Sequence, residues 1–365
     1  MKVKLKELLI PQPKSKVKAG EGLIDGKYKF YTSSPIQSKY LDDAQYRGPA
    51  LIFGTGGNAS VHYCSDMFST STDCLVMYGS EELELIYYYL SGNMQILQDG
   101  FKGAGLKHIS KNYILNIEID LPCKETQREI VNIMKKIDVL ISERKQQKDQ
   151  MEKLVMSRFV EMFGDPVANP KKWNTLSFKE AGVRLSDGPF GSNLKSEHYT
   201  TEGVRVIRLG NIGVGQFVDN DKTYISKQHY EKLRKYICKA GEIVIGTLGE
   251  PNLRACLVPQ NIEYAINKAD CVHYIPNSKI LNTNFVCHYI NCPETLLLAS
   301  GMVHGQTRSR ISSGQLAEIP IFIPPLDLQN QFAAFVEQTD KSKYLNEKSI
   351  DFCRRLEKSI RQEWL

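Results

Sequence analysis

The chain alternates between two kinds of hydrophobic patterning. Residues 1–124 and 173–325 carry short apolar runs set between clusters of Gly, Ser, Thr, Asn and Pro. Examples are Ala50 to Phe53 and Cys74 to Tyr78, with Tyr31-Thr32-Ser33-Ser34-Pro35 and Gly54-Thr55-Gly56-Gly57-Asn58 as the flanking turns. Short apolar runs bounded by turn residues predict strands. Within the first region, Leu83, Ile86, Tyr87, Leu90 and Met94 recur at helical spacing and predict a helix over residues 83–97. Residues 125–163 and 328–365 read differently: neither contains Gly or Pro, and both are dense in Glu, Lys, Arg and Gln, which favour helix. In the first, Ile130, Ile133, Ile137, Leu140 and Ile141 form one apolar stripe, and Met151, Leu154, Val155, Phe159 and Met162 form another. Such a helix would be roughly 58 Å long, at ~1.5 Å per residue. It cannot bury its stripes alone. The second helix offers Phe332, Phe335, Val336, Leu345, Cys353, Leu356, Ile360 and Trp364.

The two halves repeat one another. Residues 117–138 read IEIDLPCKETQREIVNIMKKID and residues 319–340 read IPIFIPPLDLQNQFAAFVEQTD. Leu121, Pro122, Gln127 and Asp138 fall opposite Ile323, Pro324, Gln329 and Asp340 at one offset (329 − 127 = 202). The echo continues upstream: Ile109-Ser110 with Ile311-Ser312, Tyr87 with Tyr289, Thr72 to Val76 with Ala269 to His273, and Leu51 to Thr55 with Ile243 to Thr247, the offset growing from 192 to 202. A repeat this long implies domain duplication, since solenoid periods are ~20–50 residues. The expected fold is α+β: two homologous mixed α/β domains separated by two long antiparallel helices with pseudo-twofold symmetry. Antiparallel pairing would put one globular unit at each end; parallel pairing would put both at one end. The expected boundaries are a first unit over residues 1–124, a helix over 125–163, a linker over 164–172, a second unit over 173–325 and a second helix over 326–365.

The length of 365 residues allows two domains with proper cores. The net charge of +6 permits a polyanionic partner without requiring one. Nine cysteines lie scattered with no CxxC pair, which predicts reduced thiols and a cytoplasmic protein. Cys287-His288 with Cys292 lacks a second ligand pair at zinc spacing and reads as a buried helix segment. The opening MKVKLKELLIPQPKSK has an apolar stretch too short for a signal peptide, and no run of some 18 apolar residues suggests a membrane span.

Catalytic motifs are lacking. No phosphate loop occurs: Gly22-Leu23-Ile24-Asp25-Gly26-Lys27 is one residue short and is followed by Tyr28. The glycines at Gly54 do not open a dinucleotide-binding helix. Asn169-Pro170-Lys171-Lys172 lacks the second Pro and aromatic of an adenine methyltransferase motif, and Glu143-Arg144-Lys145 lies mid-helix without the upstream Pro-Asp of a nuclease site. There is no HExxH and no Ser, His and Asp arrangement. Together these gaps argue against a self-sufficient enzyme and against a metal site.

Glycine-rich turns interleaved with basic and small polar residues suit a surface that approaches a sugar–phosphate backbone. In the first unit the candidates are Lys29, Lys39, Arg47, Lys102, Lys107 and His108. In the second they are Lys195, Arg205, Arg208, Arg254, Lys268, Arg308 and Arg310. Lys107 and His108 match Ser309 and Arg310 in the repeat. Ser33, Asn58, Asn193, Asn211 and Gln306 are of the type that reads base edges.

With these residues in view, the chain resembles the specificity subunit of Type I restriction–modification systems. The resemblance lies in the strand, the Pro and the Gln at the head of a long helix (IPIFIPPLDLQNQ, and more loosely IEIDLPCKETQRE). It extends to the linker Met162-Phe-Gly-Asp-Pro-Val-Ala-Asn-Pro-Lys-Lys-Trp173 and to the strand Gly241-Glu242-Ile243-Val244-Ile245. Cys123 and Lys124 depart from the family's usual Pro and apolar residue, and Arg128-Glu129 replaces a nearby Gln. The resemblance implies a non-catalytic subunit that binds double-stranded DNA at a split site, each domain reading one half. It implies helices that dock two methyltransferase (modification) subunits carrying S-adenosylmethionine, which methylate adenine. It also implies a restriction subunit that uses ATP and Mg to translocate and cut. No cofactor and no membrane partner is expected for this chain itself. The rival readings are a coiled-coil scaffold that touches no nucleic acid, and a fused methyltransferase or nuclease.

Overall fold

The computed structural model describes all residues except 1, 80–82, 301–309 and 365, together with the side chains of Ser300 and Trp364. It divides into two compact units, one of Met1–Gln146 with Asn346–Leu365 and one of Gln147–Leu345. Each unit therefore holds a globular part and half of each long helix. The boundaries expected from sequence set the helices and the globular parts as separate segments. The structure groups them because the buried helix faces are part of the same cores.

In the first unit, β1 (Lys2–Lys4) pairs antiparallel with β12 (Glu118–Asp120) at the root of the first long helix. One four-stranded sheet has the order β2 (Leu9–Pro11), β9 (Cys74–Gly79), β6 (Ala50–Gly54), β7 (Ser60–Cys64). A second has the order β4 (Lys39–Leu41), β3 (Tyr28–Tyr31), β8 (Met67–Thr70), β5 (Tyr46–Arg47), with β3 and β8 parallel. A hairpin of β10 (Phe101–Lys102) and β11 (His108–Ile109) completes it.

The second unit repeats this plan. β13 (Thr175–Ser177) pairs with β23 (Pro320–Phe322). The first sheet runs β14 (Gly182–Ser186), β22 (Cys271–Pro276), β19 (Ile243–Gly246), β20 (Arg254–Leu257). The second runs β15 (Tyr199–Thr200), β17 (Thr223–Ile225), β16 (Val204–Ile207), β21 (Tyr264–Asn267), β18 (Ile237–Lys239), with β16 and β21 parallel. Among the described residues the two larger sheets match strand for strand, with β15 added and the β10–β11 hairpin without a counterpart, so the duplication inferred from scattered residues is a duplication of topology.

The continuous apolar runs at the centre of each unit follow from burial on both faces. In β6, Leu51 and Phe53 point into the core that meets the helices, while Ala50 and Ile52 point into a second core against Tyr31 and Phe68. In β19, Ile243 and Ile245 face the helical core and Val244 faces Cys256 and Cys271. Cys287 and Cys292 are buried in the helical core of the second unit, as the helix-segment reading expected, and burial pushes both thiols well above their ordinary pKa.

The long helices span Lys124–Phe163 and Leu326–Trp364. In the first unit Ile130, Met134 and Ile137 share a core with Cys353 and Ile360. In the second, Val155, Phe159, Met162 and Phe163 share one with Phe332 and Val336. Within each unit, one end of one helix thus lies with the opposite end of the other, the antiparallel pairing expected. The buried stripe is narrower than the sequence reading: Met134 takes part, while Ile133, Leu140, Leu154, Leu345 and Leu356 are exposed. A single partner covers only positions spaced three and four apart on one line. The first helix stops at Gly164, which takes φ +85. Its last carbonyls are met by side chains: Lys171 Nζ donates to Glu161 O and Met162 O, and Trp173 Nε1 to Phe163 O. The helix expected over residues 83–97 is two helices, Leu83–Gly92 and Met94–Gln98, because Asn93 leaves helical geometry and its Nδ2 bonds Tyr89 O. The second long helix is fastened near its end to the first unit by Arg361, which donates to Tyr88 O and to Ser91 Oγ.

Candidate nucleic-acid interface

In both units the loops that leave the C-terminal ends of the parallel strand pair gather chemistry at one edge. In the second unit, β16 and β21 release Arg208 and Lys268 beside each other, with Lys268 N bonded to Ile207 O at 2.9 Å. Tyr199 takes both cations: the Lys268 ammonium lies 5.3 Å and the Arg208 guanidinium 5.8 Å from its ring centroid, and Lys268 Nζ donates to its hydroxyl at 2.7 Å. Arg208 also pairs with Asp221 at 2.6 Å.

The turn Asp187-Gly188-Pro189-Phe190-Gly191-Ser192-Asn193 is drawn onto this edge. Asp187 Oδ1 accepts from Gly188 N and Asp270 N, and burial raises its carboxyl pKa. Only glycine fits at 188, since a Cβ there would sit 2.3 Å from the Lys268 carbonyl. The turn presents Phe190, 47% exposed, with the Arg310 guanidinium 5.7 Å from its ring centroid and Arg310 paired to Asp270 at 2.7 Å.

The same edge in the first unit carries no arginine: its loops present Ser33, Ser34, Thr55 and His62, with Lys102 and Lys107 on the hairpin beside them. Ser33 follows β3 and its Oγ donates to Asp73 O, while Gly56 N donates to Ser33 Oγ. His62 Nε2 meets Ser34 O at 2.9 Å, and burial holds this imidazole below its usual pKa. Thr55 Oγ1 bonds Asp73 O, as Thr247 Oγ1 bonds Asp270 O in the repeat. His108 Nδ1 lies 3.1 Å from Thr55 O. Asn58, Lys102 and Lys107 are exposed beside it.

The structure thus brings together Ser33, Asn58, Lys102, Lys107 and His108 in one unit, and Arg208, Lys268 and Arg310 in the other. Asn193 and Lys195 are exposed nearby; Asn193 Nδ2 donates to Phe190 O, and Lys195 Nζ lies 3.7 Å from Glu197. Other candidates are placed differently. Arg47 pairs opposite Met67, at the far end of β8, and Lys29 lies opposite Phe68 in mid-sheet. Lys39 Nζ donates to Ala19 O. Asn211 is fully buried and holds Arg208 N, Val218 O and Asp221 O. Arg254 is bound to main-chain carbonyls, and Arg205 is buried against Asp219. Gln306 and Arg308 lie outside the described residues. Sequence reasoning missed Phe190 and Tyr199; an aromatic inside a Gly-Ser-Asn turn was the available signal. Among the described residues no three His, Cys, Asp or Glu side chains gather as a metal site, and no helix is long and apolar enough to cross a membrane.

The family described as Type I restriction modification DNA specificity domain matches residues 1–153 and again residues 192–351, one match for each copy of this edge. The chain belongs to that family. It is 22% identical to the Type I restriction enzyme MjaVIII specificity subunit of Methanocaldococcus jannaschii, over 75% of this chain and 67% of that one. It is 22% identical to the Type I restriction enzyme EcoDI specificity subunit of Escherichia coli, over 90% and 79%. Among solved structures, the S subunit of a Type I restriction–modification system from M. genitalium shares the fold with a TM-score of 0.63 at 14% identity, covering 100% of this chain and 96% of that one.

Proposed function

We propose that this chain recognises DNA within a Type I restriction–modification complex, each globular unit reading one half of a bipartite duplex site with the edge described above. The observation that supports this most is the repetition: one loop cluster, at the ends of equivalent parallel strands, occurs twice with different side chains. Equal geometry with unequal chemistry is what reading two different half-sites requires. Exposed apolar residues on the long helices, among them Ile133, Leu140, Leu154, Leu345, Phe352 and Leu356, support docking of two modification subunits there. Those subunits bring S-adenosylmethionine and methylate adenine; a restriction subunit brings ATP and Mg. The continuous long helices set the spacer between the half-sites.

Footprinting of the chain with its modification subunits tests this. Two protected blocks on duplex DNA are expected, lost steeply as salt rises. Isothermal titration of the isolated chain with S-adenosylmethionine should give no heat. Assembly that ignores DNA would favour the scaffold reading, and cofactor heat would favour a fused enzyme.

A further inference from the structure

The hairpin of β10 and β11 projects from the edge of the first unit, and its tip is Gly103-Ala104-Gly105-Leu106. Its base is fixed. Ile109 N bonds Thr55 O, Gly57 N bonds Lys107 O, and Phe101 and Ile109 are buried. Its tip is thin. Gly103 takes φ +139, and a Cβ there would sit 2.9 Å from Leu106 O, so nothing larger than glycine closes the turn. The one exposed apolar side chain of any size on this prong is Leu106, and it is 81% exposed. Residues 100–117 carry Lys102, Lys107, His108 and Lys111 and no carboxylate. A leucine meant for a protein groove has no need of positive charge on both sides; a polyanion with an apolar interior does. Stacked bases behind phosphates are such a partner, and apolar wedges between base steps are a known way to open them.

We propose that Leu106 enters a base step in the half-site read by the first unit, with Lys102 and Lys107 holding phosphates on either side. This rests on the DNA-reading role proposed above and adds local unstacking to it, so that the deformability of a step contributes to specificity.

The test uses the complete complex and duplexes taken from genomic sites located by adenine-methylation mapping, with 2-aminopurine substituted at each position in turn. Wild type should raise fluorescence several-fold at one step, away from the methylated adenine. Leu106→Ala should abolish that rise and weaken binding about tenfold, at unchanged salt slope and thermal midpoint, while Leu106→Phe should keep the rise. Lys107→Ala should instead lower the salt slope by about 0.9, the value of one phosphate contact. A protected first half-site with no rise in wild type, or a rise that Leu106→Ala leaves intact, overturns the wedge alone. Absence of any protected duplex overturns the wedge together with the DNA-reading role.

Discussion

Arg254 looked, in the sequence, like one more cation for phosphate, yet its guanidinium is committed to the main chain. Nε donates to Ile212 O at 2.6 Å, Nη1 to Leu248 O and Pro251 O, and Nη2 to Leu209 O. It ties the turn after β19 to the loop after β16, which also carries Arg208 of the proposed recognition edge. Replacing it leaves partly buried carbonyls unpaired, so Arg254→Met should cost about 2–4 kcal/mol, read from the urea midpoint. The salt slope of DNA binding should stay the same, because this charge does not face solvent freely. A stable variant with a reduced slope would return Arg254 to the phosphate contacts. Arg208 and Lys268 read identically in sequence and emerged at the edge. Spacing along the chain does not tell a cation that braces a loop from one that faces outward, because two of the four carbonyls, those of Leu209 and Ile212, lie 45 and 42 residues away.

At the scale of elements, the glutamine at the head of each long helix explains its own recurrence. Gln127 Nε2 donates to Pro122 O at 2.9 Å, and Gln329 Nε2 to Pro324 O at 2.8 Å, so each hooks the carbonyl of the Pro two residues past the end of the preceding strand. Gln329 does more: it is fully buried, its Nε2 also reaches Ile280 O, and its Oε1 accepts from Asn282 N, the cap of the helix Thr283–Asn291. Truncating a buried polar group strands all its partners. Gln329→Leu should therefore cost about 2–4 kcal/mol and Gln127→Leu about 1 kcal/mol, by chemical denaturation. Equal losses would show that the extra bonds of Gln329 contribute nothing. The strand, the Pro, the Gln and the helix were legible because they are local; the break at Asn93 was not, because the apolar spacing runs straight through it.

At the scale of the whole molecule, the long helices belong to both units, dividing after Gln146 and after Leu345. Four residues inserted at both points add about 6 Å of helix, at ~1.5 Å per residue. If the helices set the spacer, the preferred spacer should lengthen by about two base pairs, each ~3.4 Å of duplex, and both half-sites should stay unchanged. Selection from a library of randomised spacers would measure this, and an unchanged optimum would remove the ruler.

The sequence by itself determined the duplication, the two Gly- and Pro-free helices, the strand runs and the family, because these rest on periodicity and on neighbours close along the chain. It also marked turns that carry the proposed recognition edge. Only the tertiary structure decided which charges in those turns face outward. Pairing β3 with β8 and β16 with β21 brings together loops far apart in sequence, and hydrogen bonds to distant carbonyls choose between bracing and exposure. That choice depends on where the backbone folds back, and residue type alone does not encode it.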